Sequence, residues 1–184
     1  MTLSICATGG IVQIVNCSYA AHAAGILDIL NDAIVNSTAI YDYTPRAPET
    51  MVGWFDAKSK RDFPVIGAVD DSGELLGFAT YGTFRTWPAY KYSVEHSVYV
   101  HKDHRGRGIG STLMRRLIEI AKQQQYHVML GGIDADNRGS IVLHERLGFV
   151  HAGTIRQAGF KFGRWLDLAF YQLLLETPAQ PVDG

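Results

Sequence analysis

The sequence predicts an α/β fold: one mixed, mostly antiparallel sheet with helices on both faces. Three observations point there. Short β-branched runs follow one another in the middle of the chain with only turns between them, which suits antiparallel pairing. Several segments carry apolar residues at helical spacing. The unit from Val94 to Ile133 reads strand, helix, strand, which demands a parallel pair and a crossover.

The elements follow in order. Ile11–Val15 is a first strand, rich in β-branched residues. His22–Val35 is a helix on Ile26, Leu27, Leu30, Ala33 and Ile34. A loop with two prolines runs from Tyr41 to Pro48, and Pro48 opens a second helix through Phe55 and Lys58. Pro64–Val69 and Leu75–Tyr81 flank Asp70-Asp-Ser-Gly73 as a hairpin. Val94–Val100 is a strand. Ser111–Gln125 is an amphipathic helix with Leu113, Met114, Leu117, Ile118 and Ala121 on its apolar side. His127–Ile133 is a strand, and Arg138–Leu147 is a helix stopped by Gly148. Phe149–Ile155 and Asp167–Leu175 complete the sheet. Residues 1–10 are expected to be a flexible lead-in, 11–176 a single domain and 177–184 a frayed tail.

Composition narrows the function classes. Seventeen Lys and Arg against eighteen Asp and Glu give a formal charge of −1, so no basic field for nucleic acid is expected. No apolar run is long enough to span a bilayer, and the first residues lack the basic start of a secretory signal. Cys6 and Cys17 form no Cys-x-x-Cys pair and read as reduced thiols of a cytoplasmic protein. His96, His101 and His104 cluster without the spacing of a metal site, so they read as surface histidines and no metal is assigned.

The most informative segment is Val98-Tyr-Val-His-Lys-Asp-His-Arg105-Gly-Arg-Gly108-Ile-Gly110-Ser-Thr. A strand ends, a basic glycine-rich turn follows and a helix begins. Glycines allow positive φ and leave backbone N–H groups unshielded. The helix start adds free donors and a favourable dipole end. With the charges of Arg105 and Arg107, the turn suits an anion with several oxygens, such as a pyrophosphate. No Gly-Lys-Ser/Thr triplet of a P-loop is present, and Gly106-x-Gly108-x-Gly110 departs from the Gly-x-Gly-x-x-Gly of dinucleotide folds.

Arg105-x-x-Gly108-x-Gly110 resembles the phosphate-binding element of the GNAT N-acetyltransferases. Four further stretches resemble their phosphinothricin and methionine sulfoximine branch. These are Ile40-Tyr-Asp-Tyr-Thr-Pro-Arg-Ala-Pro-Glu49, Val94-Glu-His-Ser-Val-Tyr-Val100, Asn137-x-x-Ser140-x-x-Leu-His144-Glu-x-Leu-Gly-Phe149 and Gly159-Phe-Lys-Phe-Gly-Arg-Trp-Leu-Asp167. They fall in the family's order and cover nearly everything after Ile11.

The resemblance implies a splayed strand pair and acetyl-CoA as co-substrate. Val98, Tyr99 and Val100 would meet the pantetheine arm as an added strand meets a sheet edge, and Val98 N–H would polarise the thioester. Gly106, Arg107, Gly108, Ile109, Gly110 and Ser111 would hold the pyrophosphate. Asn137 would bond the arm while also suiting an N-cap. The resemblance implies Glu95 as catalytic base, although regular alternation sets it out of step with Val98 and Val100 unless a bulge re-aims it. It implies His144 as the group assisting departure of the thiolate. Without the resemblance, an exposed strand carboxylate and a structural helix histidine are the plainer readings of these two.

The implied acceptor is a small amino acid such as phosphinothricin, methionine sulfoximine or methionine sulfone. Its carboxylate needs a cation, and Arg85 is the candidate clamp. Trp87, Tyr90, Tyr41 and Tyr43 would line the pocket, and Phe160, Phe162 and Trp165 suit a homodimer interface and equally a hairpin folded back on its own core. Acetylation of a protein N-terminus or a polyamine is the rival acceptor reading, and a non-catalytic acetyl-CoA sensor is the rival class.

Overall fold

The structure is a computed structural model that describes residues 4–7 and 10–183, with side chains from residue 12 onward. Eight strands form one sheet: β1 (Ser4–Ala7), β2 (Gly10–Asn16), β3 (Val65–Val69), β4 (Leu75–Thr83), β5 (Ser93–Val100), β6 (Val128–Asp134), β7 (Val150–Lys161) and β8 (Arg164–Leu174). Their spatial order is β1-β2-β3-β4-β5-β6-β8-β7. All neighbours are antiparallel except β5 and β6.

Four helices cover the sheet: α1 (Tyr19–Asn36), α2 (Thr50–Ser59), α3 (Ile109–Gln123) and α4 (Arg138–Arg146). Strand alternation sorts the core into two layers. Phe78 faces α1 and α2, where Ile26, Leu30, Ile34 and Met51 bury it. Ala79 and Tyr81 face α3, against Leu113, Met114, Leu117 and Ala121. All five residues of β3 are buried, as a strand covered on both faces requires.

Element boundaries moved where a local feature overrides periodicity. Helix α1 starts at Tyr19, ahead of the expected His22, because the Ser18 hydroxyl accepts from Ala21 N–H at 3.3 Å. Helix α3 starts at Ile109 and not Ser111, because Gly108 turns at φ 81° and leaves the chain helical at once. Strand β7 runs on to Lys161, past a register shift between Ile155 and Gly159. Gln157, at φ 53°, donates its N–H to Asp167 at 2.8 Å there.

Both chain ends are more ordered than their composition suggests. The expected lead-in contains β1, whose Ser4–Ala7 pair with Ala7↔Gly10 through Ser4↔Gln13; the rest of residues 1–9 falls outside the described ones. In the expected frayed tail, Thr177 takes a bond from His127 Nδ1–H at 2.9 Å, and Val182 N–H donates to the Tyr92 hydroxyl at 3.2 Å.

Candidate active site

The site begins where β5 and β6 part. They pair only at Ser93↔Val128, Val94↔Met129 and Glu95↔Leu130. Beyond Glu95, β5 stays paired with β4 through Gly77↔Val100, so its other edge from His96 to Val100 has no ladder partner among the described residues. Backbone groups alternate along a strand, so half of those in this stretch point into the opening. A cleft of about 940 Å³ occupies it, lined by Glu95 through Val100, by the glycine-rich turn, by α4 and by Ser37 and Ala39 beyond α1.

The turn forms one end of the cleft. Gly106 and Gly108 stand at φ 78° and 81°, in the left-handed region that side chains resist. Gly108 caps α3 without a side chain, and Thr112 makes the first i→i−4 bond. The N–H groups of Ile109, Gly110 and Ser111 therefore precede the helical ladder and remain donors at its positive end. Arg105 braces the turn: its Nε donates to Val100 O at 3.2 Å, and its guanidinium stands 3.5 Å from Asp32 on α1. Arg107 lies 3.4 Å from His104 and does not line the cleft, whereas Arg115, one turn into α3, does. The unprotected donors, the bare glycines and the basic rim fit a pyrophosphate, and the open edge of β5 fits an extended amide-bearing arm.

Glu95 lies on the α1 face of β5, and the β4–β5 register is unbroken, so no bulge re-aims it. Room comes from glycines on both neighbouring strands. Gly82 is its cross-strand partner, and a Cβ on Gly132 would stand 3.2 Å from Glu95 Oε1. Burial raises the Glu95 pKa, and the charge of Arg85 pulls back against that shift to a smaller extent. A carboxylate so placed is a stronger proton acceptor than one in water.

His96 and His144 stand on the opposite face, both buried and stacked with ring centroids 4.9 Å apart. His144 Nδ1 is 2.6 Å from Ser140 O, and a carbonyl only accepts, so Nδ1 carries the proton. His144 Nε2 is then an acceptor, and His96 Nε2–H donates to it at 3.0 Å. His96 Nδ1 is left with no partner. His96 is thus no surface histidine. Gly131 makes the pair fit, since a Cβ there would come within 2.6 Å of His96 Nε2.

Burial lowers both pKa values, that of His96 to about 3, with His144 adding to the effect on His96. The unfolded chain takes up these protons below about pH 6.5, and the folded chain refuses them. Stability falls as pH drops below that point, by up to about 1.4 kcal/mol per pH unit for each ring. Urea midpoints followed downward from neutral pH should show this slope, and His96→Asn should flatten it. Equal slopes in the two proteins would contradict the neutral pair.

Sequence and structure comparisons agree with this geometry. Residues 27–149 match the model of the acetyltransferase (GNAT) family. The chain belongs to the GNAT acetyltransferase family. A provisionally named acetyltransferase from Acinetobacter baylyi superimposes with a TM-score of 0.93 at 57% identity, covering 100% of this chain and 98% of that one. A GNAT superfamily phosphinothricin acetyltransferase from Sinorhizobium meliloti, solved with acetyl-CoA, gives 0.89 at 32% identity and 94% of each chain. The L-methionine sulfoximine/L-methionine sulfone acetyltransferase of Pseudomonas paraeruginosa is 48% identical over 156 residues, 85% of this chain and 91% of its own. The protein is an acetyltransferase.

In this GNAT enzyme the remaining expected residues divide. Asn137 lines the cleft, and its Oδ1 caps α4 by accepting from Ser140 N–H at 3.1 Å. Arg85, Trp87 and Tyr90 line a separate cavity of about 390 Å³ at the start of β5, with Arg61, Phe63 and Tyr126. The field of Arg85 on Glu95 links that group to the cleft. Tyr43 is exposed and donates its hydroxyl to Phe160 O at 2.6 Å, while the Tyr41 ring packs on Gly159. Sequence reasoning missed the pairing role of His96 and the placement of Arg115 in the cleft. Neither had a local signal, since His96 meets a partner 48 residues away. Cys17 is half-buried with its thiol pushed up to about 12, so it is no nucleophile at neutral pH.

Proposed function

We propose that the enzyme acetylates the α-amino group of a small amino acid of the methionine sulfoximine, methionine sulfone or phosphinothricin type, by direct transfer within a ternary complex. The observation that carries this reading is the half-buried carboxylate of Glu95 at the splay, within the field of Arg85 from the neighbouring cavity. An ammonium has no lone pair, so the incoming amine must lose a proton. Glu95 takes that proton, directly or through water, and Arg85 clamps the acceptor's carboxylate. Trp87, Tyr90, Tyr41 and Tyr43 border the acceptor.

Acetyl-CoA supplies the acetyl group as an activated thioester. Val98, Tyr99 and Val100 pair with its arm, Asn137 bonds it, and Arg105, Gly106 and residues 108–111 hold the pyrophosphate. Val98 N–H faces the developing oxyanion. His144, on the cleft wall, assists the departing thiolate. No metal enters this scheme.

A homodimer through the β7–β8 hairpin is part of the same proposal. Phe160, Phe162 and Trp165 are 47%, 58% and 58% exposed, more than a hairpin folded onto its own core would leave. No described helix is long and apolar enough to cross a membrane. We place the enzyme in the cytoplasm with a small-molecule partner, and with no membrane or nucleic-acid partner.

The test is kcat/KM for methionine sulfoximine, methionine sulfone, phosphinothricin, common amino acids, a polyamine and a peptide. The tetrahedral-headed amino acids should lead, and Arg85→Ala should raise their KM by about tenfold or more. Turnover confined to the polyamine or the peptide would overturn the acceptor reading.

A further inference from the structure

Lys161 ends β7 at the tip of the β7–β8 hairpin and is only 4% exposed. An ammonium has three N–H donors, and all three are spent on backbone carbonyls. Nζ donates to Ile34 O at 2.6 Å, Ser37 O at 2.9 Å and Ile40 O at 2.6 Å. These oxygens belong to the last turn of α1 and the segment after it. The C-terminal carbonyls of a helix lack intrahelical donors and form its negative pole, so a buried cation is at home there.

The same joint is made twice more. Tyr43 donates its hydroxyl to Phe160 O, and a Cβ on Gly159 would come within 2.7 Å of the Tyr41 ring. Residues 37–43 are therefore seated on residues 159–161 by one buried cation, one hydrogen bond and one ring against bare backbone. Ser37 and Ala39 of that segment line the same cleft as Glu95.

We propose that Lys161 is a positioning residue for the acceptor amine: it fixes residues 37–43, and through Ser37 and Ala39 a wall of the cleft, from a strand that supplies none of the phosphate site. The inference rests on the acceptor lying on the Glu95 side, as proposed above. Misplacing that wall disturbs the amine more than the cofactor, because Lys161 holds the carbonyls of Ile34, Ser37 and Ile40, whereas Arg105 of the turn meets α1 ahead of them, at Asp32.

The experiment compares wild type, Lys161→Met, Lys161→Arg and Gly159→Ala in the full chain. Lys161→Met keeps length and removes the donors. Lys161→Arg keeps charge and donors. Gly159→Ala pushes on Tyr41 without changing charge and serves alone if Lys161→Met does not fold. KM for methionine sulfoximine should rise about tenfold or more in Lys161→Met and, to a smaller extent, in Gly159→Ala, with acetyl-CoA affinity within about twofold of wild type. Lys161→Arg should recover part of the loss. Acceptor and cofactor constants moving in parallel, or neither moving, would overturn the inference. Wild type inert toward every amine would overturn the acceptor reading and this inference with it. Wild-type turnover with unchanged variants would overturn this inference alone.

Discussion

Glu95→Gln is expected to lower kcat by about two to four orders of magnitude, the usual worth of a positioned proton acceptor. The substitution keeps the shape of the side chain, so its packing beside Gly132, where a Cβ would lie 3.2 Å from Oε1, is undisturbed. The proposed acetyl-CoA site is the edge of β5 and the turn at its end, so cofactor affinity should stay near wild type. The pH profile is the sharper readout. Burial raises the Glu95 pKa, so the carboxylate form is lost, as pH falls, at a higher pH than for an ordinary carboxylate. Wild-type kcat should show an acidic limb displaced upward from the carboxylate range, and Glu95→Gln should lose it. A variant with wild-type kcat and an unchanged profile would remove Glu95 from the chemistry.

Gly108→Trp should weaken acetyl-CoA by about a hundredfold or more, which corresponds to roughly 2.7 kcal/mol of binding free energy. Gly108 lines the cleft and caps α3, and nothing in the protein lies within 4 Å of where its Cβ would be. The fold can admit the indole, but the space it enters is that of the proposed phosphate site. Its φ of 81° adds strain of about 1–2 kcal/mol for a side-chain-bearing residue. Gly73→Trp separates the two effects. Gly73 has φ 86° and equally open surroundings, but it sits in the turn between β3 and β4. It should match the loss of stability and leave acetyl-CoA affinity alone. Normal affinity in Gly108→Trp would remove the turn as the phosphate site.

What could be read in the sequence was local. The β-branched runs, the 3.6-residue stripe of α3 and the glycines after Val100 each carry their meaning within a few neighbours, and the structure builds strands, helix and cleft end from them. Alternation along β5 was readable too, and it holds without a bulge, so Glu95 and His96 face opposite sides of the sheet, His96 toward His144. The parts that escaped are long-range. His96 looked like a surface residue because nothing near it in the chain shows His144 arriving across Gly131. Nothing near Lys161 in the chain marks its role either, because its three acceptors lie more than a hundred residues earlier. Helix starts slipped for a smaller reason: Ser18 and Gly108 end the preceding segment by cap geometry, which apolar periodicity does not register.

The central claim is that the cleft between β5 and β6 moves an acetyl group from acetyl-CoA to the α-amine of a small amino acid. The most direct measurement follows free CoA by its thiol and N-acetyl methionine sulfoximine by mass spectrometry in the same reaction, with wild type and Glu95→Gln side by side. The account predicts that wild type releases one CoA for each acetylated amino acid and that Glu95→Gln slows both together. CoA release without an N-acetylated product, or equal rates in the two proteins, would contradict it.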